Sequence, residues 1–358
     1  MRFLMAGGGT GGHVIPALAV AGELKRRGHE PFFVGTPAGL EAKLAPAAGF
    51  PIEWIEIGGL KRVGLARVLR TLWQLALGTL KMTRALGRWR PAAIFSMGGY
   101  VAGPVVLAAG LRRIPMVLME PNAVPGMTNR WVGRLAARAL VSFPETARYF
   151  PRKKAEVTGL PVRAEFFALA PKGREAVLTV LVTGGSRGSR TLNQAARQSW
   201  PLFRQAAYPI RLIHQTGRES HAELAREFAG TGLAGEVVPF IDDMPAAFAA
   251  ADLVVCRSGA GAVAELAAAG KPAILAPFPF AADDHQRRNA EVLAAAGAAR
   301  LVPDRELTGQ RFYDEVRSLA EEAGLLERMG AAARRFAHPQ AAERAADWLE
   351  QAAGVARF

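Results

Sequence analysis

The stretch Arg2-Phe-Leu-Met-Ala-Gly-Gly-Gly-Thr-Gly-Gly-His13 joins a short apolar run to a dense glycine loop, and Val14–Arg27 follows with helical spacing. A five-residue apolar run stopped by glycine reads as a buried strand. Glycines behind it let backbone amides approach a ligand closely, and the helix start that follows favours negative charge. Gly28 stands where a helix C-cap belongs, and Pro31–Gly35 reads as the next strand. Ala92–Ser96, Met116–Met119 and Ala139–Ser142 continue the series. Short apolar runs alternating with helical patterns are the signature of βα units around a parallel sheet.

Near residue 160 the pattern restarts. Thr158-Gly-Leu-Pro-Val-Arg163 is punctuated like a linker, and Leu178-Thr-Val-Leu-Val-Thr183 then reads as a strand. A second glycine loop and a helix around Leu192–Gln198 follow it, and further strands are read at Ile210–His214, Val237–Phe240, Leu253–Cys256 and Ala273–Ala276. The chain of 358 residues is therefore expected to form two similar α/β domains, 1–160 and 161–338. The tail 339–358 is an amphipathic helix expected to pack back on the first domain.

Charge separates the two halves. Net charge is +14, and residues 1–155 hold 22 Lys/Arg against 7 Asp/Glu, whereas the remainder holds 23 against 24. From Ile57 to Met119 there are ten Lys/Arg and no acid. Such asymmetry points to an anionic partner: nucleic acid, a phosphorylated substrate or lipid headgroups. Leu65, Val68, Leu69, Leu72, Trp73, Leu75 and Leu80 recur near helical spacing, interleaved with Arg67, Arg70, Lys81, Arg84, Arg88 and Arg90. A helix of that kind binds anionic interfaces, with about 1 kcal/mol per basic residue near the surface. The bland reading makes the leucines core and the arginines a solvated face; the absence of any compensating acid favours the membrane.

Cys256 is the only cysteine, so no disulfide and no cysteine-based metal site is expected. The N-terminal apolar run is too short for a signal peptide. No uncharged apolar run approaches the roughly 18–20 residues needed to span a bilayer. The expectation is a cytosolic protein whose membrane contact is peripheral.

Three more glycine-rich segments follow strands: Gly98-Gly-Tyr-Val-Ala-Gly-Pro104, Gly184-Gly-Ser-Arg-Gly-Ser189, and Arg257-Ser-Gly-Ala-Gly-Ala-Val-Ala-Glu265. Any one of them reads as a tight turn; together, across two domains, they favour a phosphate-bearing ligand. Residues 7–12 satisfy G-x-G-x-x-G, yet the end of the second strand reads Val34-Gly35-Thr36, without the acid a dinucleotide ribose needs. That weakens a nicotinamide dehydrogenase. No G-x-x-x-x-G-K-[ST] occurs, which argues against a P-loop ATPase.

These segments, with Phe240-Ile-Asp-Asp-Met244, Asp284-His-Gln286, Asn193 and Asn289 in the same order, closely resemble the MurG family of bacterial wall synthesis. The resemblance runs from the first strand to about residue 300. It implies a GT-B glycosyltransferase fold, two Rossmann-like α/β domains with parallel sheets facing an interdomain cleft. It implies inverting transfer of GlcNAc from UDP-GlcNAc to the muramyl C4 hydroxyl of the undecaprenyl-linked pentapeptide acceptor, lipid I, giving lipid II. The place implied is the cytoplasmic face of the membrane, with anionic lipids and other wall-synthesis and division proteins as partners, and no specific nucleic acid. Two departures stand out. Met119-Glu-Pro-Asn122 replaces the family's His-Glu-Gln-Asn, and Ala262 stands where a threonine is frequent.

The resemblance also places roles on residues. A single displacement needs a base for the acceptor and charge stabilisation for the leaving diphosphate. His13 is the candidate base because imidazole takes a proton near neutral pH. Its other role is positional, donating to a phosphate or the backbone. Glu120 is the rival base, or the group that orients His13. Thr10, Gly11, Gly12, Asn122, Arg163, Ser186, Ile241, Ala260, Gly261, Ala262, Glu265, His285, Gln286 and Asn289 are assigned to the donor. Within that set Ser186 and the amides of 184–188 meet the diphosphate, the Ile241 backbone meets uracil, Glu265 the ribose, and Gln286 and Asn289 the GlcNAc. Gly8, Gly9, Gly98, Gly99 and Tyr100 form the acceptor-side loops, and Arg67, Leu69, Arg70, Leu72, Trp73, Lys81 and Arg84 the membrane patch. No Asp-x-Asp occurs, so no metal and no cofactor are expected, UDP-GlcNAc being a substrate.

Two readings compete. A UDP-sugar epimerase of the same two-domain architecture explains a nucleotide cleft, but not the basic apolar helix or the Gly98–Pro104 loop. Nucleic-acid binding explains the charge, but no zinc-finger or RRM-type signature is present and aromatics are 8% of residues.

Overall fold

The structure, a computed structural model, describes residues 1–8, 11–37, 39–55, 65–173 and 175–355, the side chains of 65–75 and 99–101 left aside. It divides into two units, Met1–Arg163 with His338–Phe358, and Ala164–Ala337. In the first, strands and helices alternate as β1 (Arg2–Ala6), α1 (Gly11–Arg26), β2 (Glu30–Gly35), α2 (Glu41–Ala47), β3 (Ile52–Trp54), α3 (Leu65–Trp89), β4 (Ala93–Ser96), α4 (Gly99–Arg112), β5 (Met116–Glu120), α5 (Met127–Leu135), β6 (Arg138–Val141) and β7 (Ala155–Val157). The strands form one parallel sheet in the order β3-β2-β1-β4-β5-β6-β7.

The second unit repeats the plan with β8 (Leu178–Thr183), α6 (Arg190–Gln205), β9 (Ile210–Gln215), α7 (Arg218–Ala229), β10 (Ala234–Val238), α8 (Met244–Ala250), β11 (Leu253–Cys256), α9 (Ala260–Ala269), β12 (Ala273–Leu275), α10 (His285–Ala295), β13 (Ala299–Leu301), α11 (Gly309–Glu321) and α12 (Leu325–Arg334). Its parallel sheet runs β10-β9-β8-β11-β12-β13. Counted within each unit, the order is third, second, first, fourth, fifth, sixth, with a seventh strand added at the edge of the first sheet. That is the doubly wound Rossmann order.

The central strands are buried on both faces, which is why they read as continuous apolar runs. Leu4, Ile94, Leu118 and Val141 pack beneath Met82, Leu86 and Trp89 of α3 and Val105 and Ala109 of α4. Val180, Val182, Leu212, Val255 and Ile274 meet Trp200 and Phe203 of α6 and Phe312 and Val316 of α11. Differences from the sequence expectation sit at the sheet edges. β3, β7 and β13 are three-residue edge strands with mostly exposed or half-buried side chains, too short and too polar to read as apolar runs. β10 lies earlier than the expected Val237–Phe240 and ends at Val238, because Pro239 has no N–H to offer the ladder.

The chain returns to the first unit through α13 (Ala341–Ala352), which packs on α1 and on β4 and β5. Two clusters of charge fasten it. Arg27 donates to Asp347 at 2.8 Å and to Glu350 at 2.9 Å, and His29 lies 2.9 Å from Glu350. Glu156 on β7 accepts from Arg344 at 2.6 Å, Arg138 at 2.9 Å and the Trp348 indole at 2.8 Å, with Arg138 stacked on the Trp348 ring. Burial pushes the Glu156 carboxyl up, but the hydrogen bonds from Arg344, Arg138 and Trp348 outweigh it and hold its pKa below 4.5. A depressed native pKa means stability present above about pH 4.5 and lost as pH falls through the native value. Glu156→Gln, which leaves three donors poorly matched, is expected to cost roughly 1–3 kcal/mol at pH 7. The difference from wild type in denaturant unfolding should shrink steadily below pH 4.5; a constant difference would show that ionisation is not the cause.

Candidate functional site

In an open parallel sheet, loops to either side of the point where strand order reverses leave in opposite directions and open a crevice at the carboxyl edge. In the first unit that point lies between β1 and β4, in the second between β8 and β11. The glycine loops read from the sequence fall on these two pairs of strand ends. Each unit thus carries its own half-site.

In the first half-site, Gly7 and Gly8 leave β1 and α1 opens at Gly11, with His13 in its first turn. His13 Nδ1 lies 3.4 Å from the Gly8 carbonyl oxygen, to which the ring donates in the matching tautomer. Gly12 is in the same turn; Gly9 and Thr10 lie outside the described residues. The buried Glu41 carboxylate packs so closely against Gly8, Gly35 and Gly39 that a side chain on any of them would collide with it, and it accepts from the Thr36 amide at 3.0 Å. Glu41, at the start of α2, is thus spent on holding loops.

Glu120 ends β5 and is 1% exposed. Its Oε1 accepts from the Asn122 amide at 2.9 Å and side chain at 3.2 Å, and its Oε2 accepts from Asn129 Nδ2 at 2.7 Å. Burial raises its pKa to about 7, and the Asn122 and Asn129 hydrogen bonds only partly offset that. Strand β4 separates β1 from β5, so about two inter-strand spacings, roughly 10 Å, lie between the end of β1 and the Glu120 end of β5. Gly98, at φ +77°, presses on the Asn129 amide where any side chain would collide. Gly99 follows as the first residue of α4, and the Tyr100 side chain lies outside the described residues. Asn129 thus joins the Glu120 carboxylate to the second glycine loop. Sequence reading missed it, since an asparagine inside a helix carries no motif of its own.

The second half-site has tighter internal bracing. Gly188, at φ +72°, fits directly against the Thr216 carbonyl, and Gly217 against that of Arg187, so the loops after β8 and β9 interlock. Ser189 caps α6 by accepting from the Leu192 amide, and Ser186 is left exposed. Gln215, 1% exposed at the end of β9, donates to Thr183 Oγ1 at 3.1 Å and to the Gly185 carbonyl at 2.8 Å. Its Oε1 accepts from the Ile241 amide at 2.8 Å. One buried side chain therefore ties the loop expected to meet the diphosphate to the segment expected to meet uracil. Because the Ile241 N–H is spent on Gln215, a base contact there falls to its carbonyl. The signal available in the sequence was a polar residue closing an apolar strand just before Gly217.

Ala260, Gly261 and Ala262 form the first turn of α9 behind Gly259, which supplies no side-chain cap. The first N–H groups of a helix have no intrahelical acceptor and attract anions. Glu265 lies half-buried in the next turn. Gln286 accepts from the Phe278 amide at 3.0 Å, and His285 Nδ1 lies 2.6 Å from the Ala282 carbonyl. Asn289 is fully buried and donates to the Ser258 carbonyl at 3.2 Å, a bond that braces α10 against the loop after β11. Arg163, half-buried, is the last residue of the first unit's leading segment. Among the described residues no three His, Cys, Asp or Glu side chains gather into a metal-ligating group.

Sequence profiles of the N-terminal and C-terminal domains of glycosyltransferase family 28 match residues 3–141 and 179–345. The UDP-N-acetylglucosamine–N-acetylmuramyl-(pentapeptide) pyrophosphoryl-undecaprenol N-acetylglucosamine transferase of Solibacter usitatus is 64% identical over 351 residues, spanning 98% of this chain and 96% of that one. The chain belongs to the MurG family. The crystal structure of Acinetobacter baumannii MurG superposes with a TM-score of 0.80 at 34% identity, covering 98% of this chain and 99% of that chain. The UDP-GlcNAc 2-epimerase of Neisseria meningitidis gives a TM-score of 0.70 at 13% identity, covering 98% and 100%. That second likeness is one of fold alone. The fold is therefore the GT-B arrangement of two Rossmann-like domains.

Glu120 yields a test of what its carboxylate does. Its native pKa, about 7, lies above the ordinary 4.5, so its neutral form stabilises the fold. That stabilisation is complete below about pH 4.5 and is lost as pH rises through 7. Glu120→Gln mimics the neutral acid. Urea unfolding at pH 5 and pH 8 should show the variant gaining on wild type as pH rises, and parallel profiles would rule the buried acid out.

Proposed function

We infer that this protein transfers GlcNAc from UDP-GlcNAc to the muramyl C4 hydroxyl of an undecaprenyl-pyrophosphoryl-MurNAc-pentapeptide acceptor, converting lipid I to lipid II. The observation that carries this reading is 64% identity along nearly the whole chain to a transferase of that name. The epimerase reading has only a shared fold behind it.

His13 acts as general base on the acceptor hydroxyl. What supports this reading is an imidazole in the first turn of α1, behind the glycine loop, since imidazole is the side chain most suited to general-base work. Glu120 holds the loop opposite, because amide donors occupy both its oxygens. The amides of 184–188 and the start of α9 stabilise the leaving diphosphate without a metal. Ala262 supplies no hydroxyl, so this part of the site works through backbone N–H groups.

The protein works as a peripheral enzyme on the anionic, cytoplasmic face of the membrane. The side chains of Arg67, Leu69, Arg70, Leu72 and Trp73 lie outside the described residues. Further along α3, Leu77, Leu80, Lys81 and Arg84 are exposed. α4 packs against α3 and α5 and adds Leu111, 72% exposed, while α5 adds Trp131, 64% exposed and covered by Arg134 at 4.9 Å. Exposed apolar side chains accompanied by arginine and lysine on these helices suit the boundary between acyl chains and anionic headgroups. Among the described residues no helix is long and apolar enough to cross a membrane.

Transfer of labelled GlcNAc to a lipid I analogue tests the chemistry. His13→Ala is expected to lower kcat by about 10²–10⁴-fold, the usual range for a lost general base, with wild-type rate unchanged by chelator. Full activity of His13→Ala would remove it from the reaction. Co-sedimentation should show binding to phosphatidylglycerol vesicles that falls on the double change Trp131→Ser and Arg134→Ser; equal binding to neutral and anionic vesicles would sink the membrane reading.

A further inference from the structure

Arg257, the first residue after β11, stands between the ends of β8 and β12. Its guanidinium donates to Ser189 Oγ at 2.7 Å on the β8 side and to the Ala276 and Pro277 carbonyls at 3.0 and 3.2 Å on the β12 side. It also pairs with Asp304, which opens the turn after β13. The second oxygen of Asp304 accepts from Thr191 Oγ1 at 3.1 Å, in the first turn of α6. Ser189, Arg257, Asp304 and Thr191 therefore close a ring that links the loops after β8, β11, β12 and β13. Both charged members are largely buried, at 13% and 18% exposure.

We propose that Asp304 is a positioning residue for the donor diphosphate, holding Arg257 as a fixed strut between the diphosphate loop and the start of α9. A guanidinium beside such a site would by itself be drawn to phosphate. Here its Nη1 is spent on two carbonyls and the Asp304 carboxylate, and its Nη2 donates to a hydroxyl. The strut ends on Ser189, which closes the 184–189 loop and caps α6. Asp304 lies outside every glycine-rich motif, in a segment that sequence reading passed over. On the far side of β8, the Ile241 segment is held by Gln215, which grips the same loop at Gly185 rather than at the Ser189 end where the Arg257 strut meets it. The strand order β10-β9-β8-β11-β12-β13 keeps the two braces on opposite sides of β8. Weakening the Asp304 brace should consequently damage recognition of phosphates and spare recognition of the base.

The proposal rests on reading 184–188 as the diphosphate loop, and the test separates the two. UDP and uridine are titrated into the full-length wild type, Asp304→Asn, Thr191→Val and Ser186→Ala, with thermal unfolding of each. Asp304→Asn is expected to bind UDP about tenfold more weakly, the loss of roughly one charge-assisted hydrogen bond, with uridine affinity unchanged. The KM for UDP-GlcNAc should rise by a similar factor with kcat less affected. Thr191→Val, which cuts only the link to α6, should show the same selectivity at about threefold, and keeps the test alive if Asp304→Asn does not fold. Equal weakening of UDP and uridine, or tighter UDP binding through a released Arg257, would overturn the proposal. If Ser186→Ala weakens UDP and neither ring variant does, Asp304 fails alone. If the ring variants lose UDP selectively while Ser186→Ala does not, the loop assignment falls and Asp304 acts through Arg257 and α9.

Discussion

The reversal of strand order at β1/β4 and again at β8/β11 is the constraint on which the rest of this molecule depends. Parallel strands need crossover helices, and right-handed crossovers running outward from a central strand place successive helices on opposite faces of the sheet. At the reversal the flanking loops part, leaving backbone amides and helix starts around an open edge. An edge of that kind suits an anion without any dedicated side chain; topology alone provides it. Side chains have the narrower task of holding that edge still.

They do so with uncharged amides and buried acids more than with exposed charge. Gln215 bridges two loops through buried hydrogen bonds, and Asn129 and Asn289 tie α5 to the end of β5 and α10 to the loop after β11. Such bridges are worth about 1 kcal/mol each, and breaking one leaves a buried partner unsatisfied at greater cost. The glycines are the complement of these braces. At Gly98 and Gly188 a positive φ coincides with a neighbour occupying the space a side chain would need. The density of glycine around the two edges thus serves loop-to-loop contact as well as ligand approach.

Charge is divided between the halves for a different purpose. The surplus of Lys/Arg lies in residues 1–155, while the loops proposed to hold the diphosphate belong to a nearly neutral half. In the second unit the largely buried arginine beside the 184–189 loop, Arg257, is neutralised by Asp304. Helix starts and amides suffice for a leaving diphosphate that must also depart, whereas a membrane surface rewards many exposed cations at once.

The sequence by itself determined the fold class, the central strands and the position of the glycine loops. Two-sided burial forces continuous apolar runs, and an amide-lined loop forces glycine; both leave local traces. β1, β8 and β11 coincide with the apolar runs that announced them. Only the tertiary structure decided the edge strands β3, β7 and β13, whose half-solvated residues carry no such trace, and the seating of α13 through Arg27 and Glu156. It alone brought Asn129, Gln215 and Asp304 to the carboxyl edges, because a bridging residue is defined by what stands opposite it in space. It also gave Asn289 a buried bracing contact in place of an open one. Local chemistry is written along the chain; partnership across strands is not, since it depends on which strand ends the crossovers make neighbours.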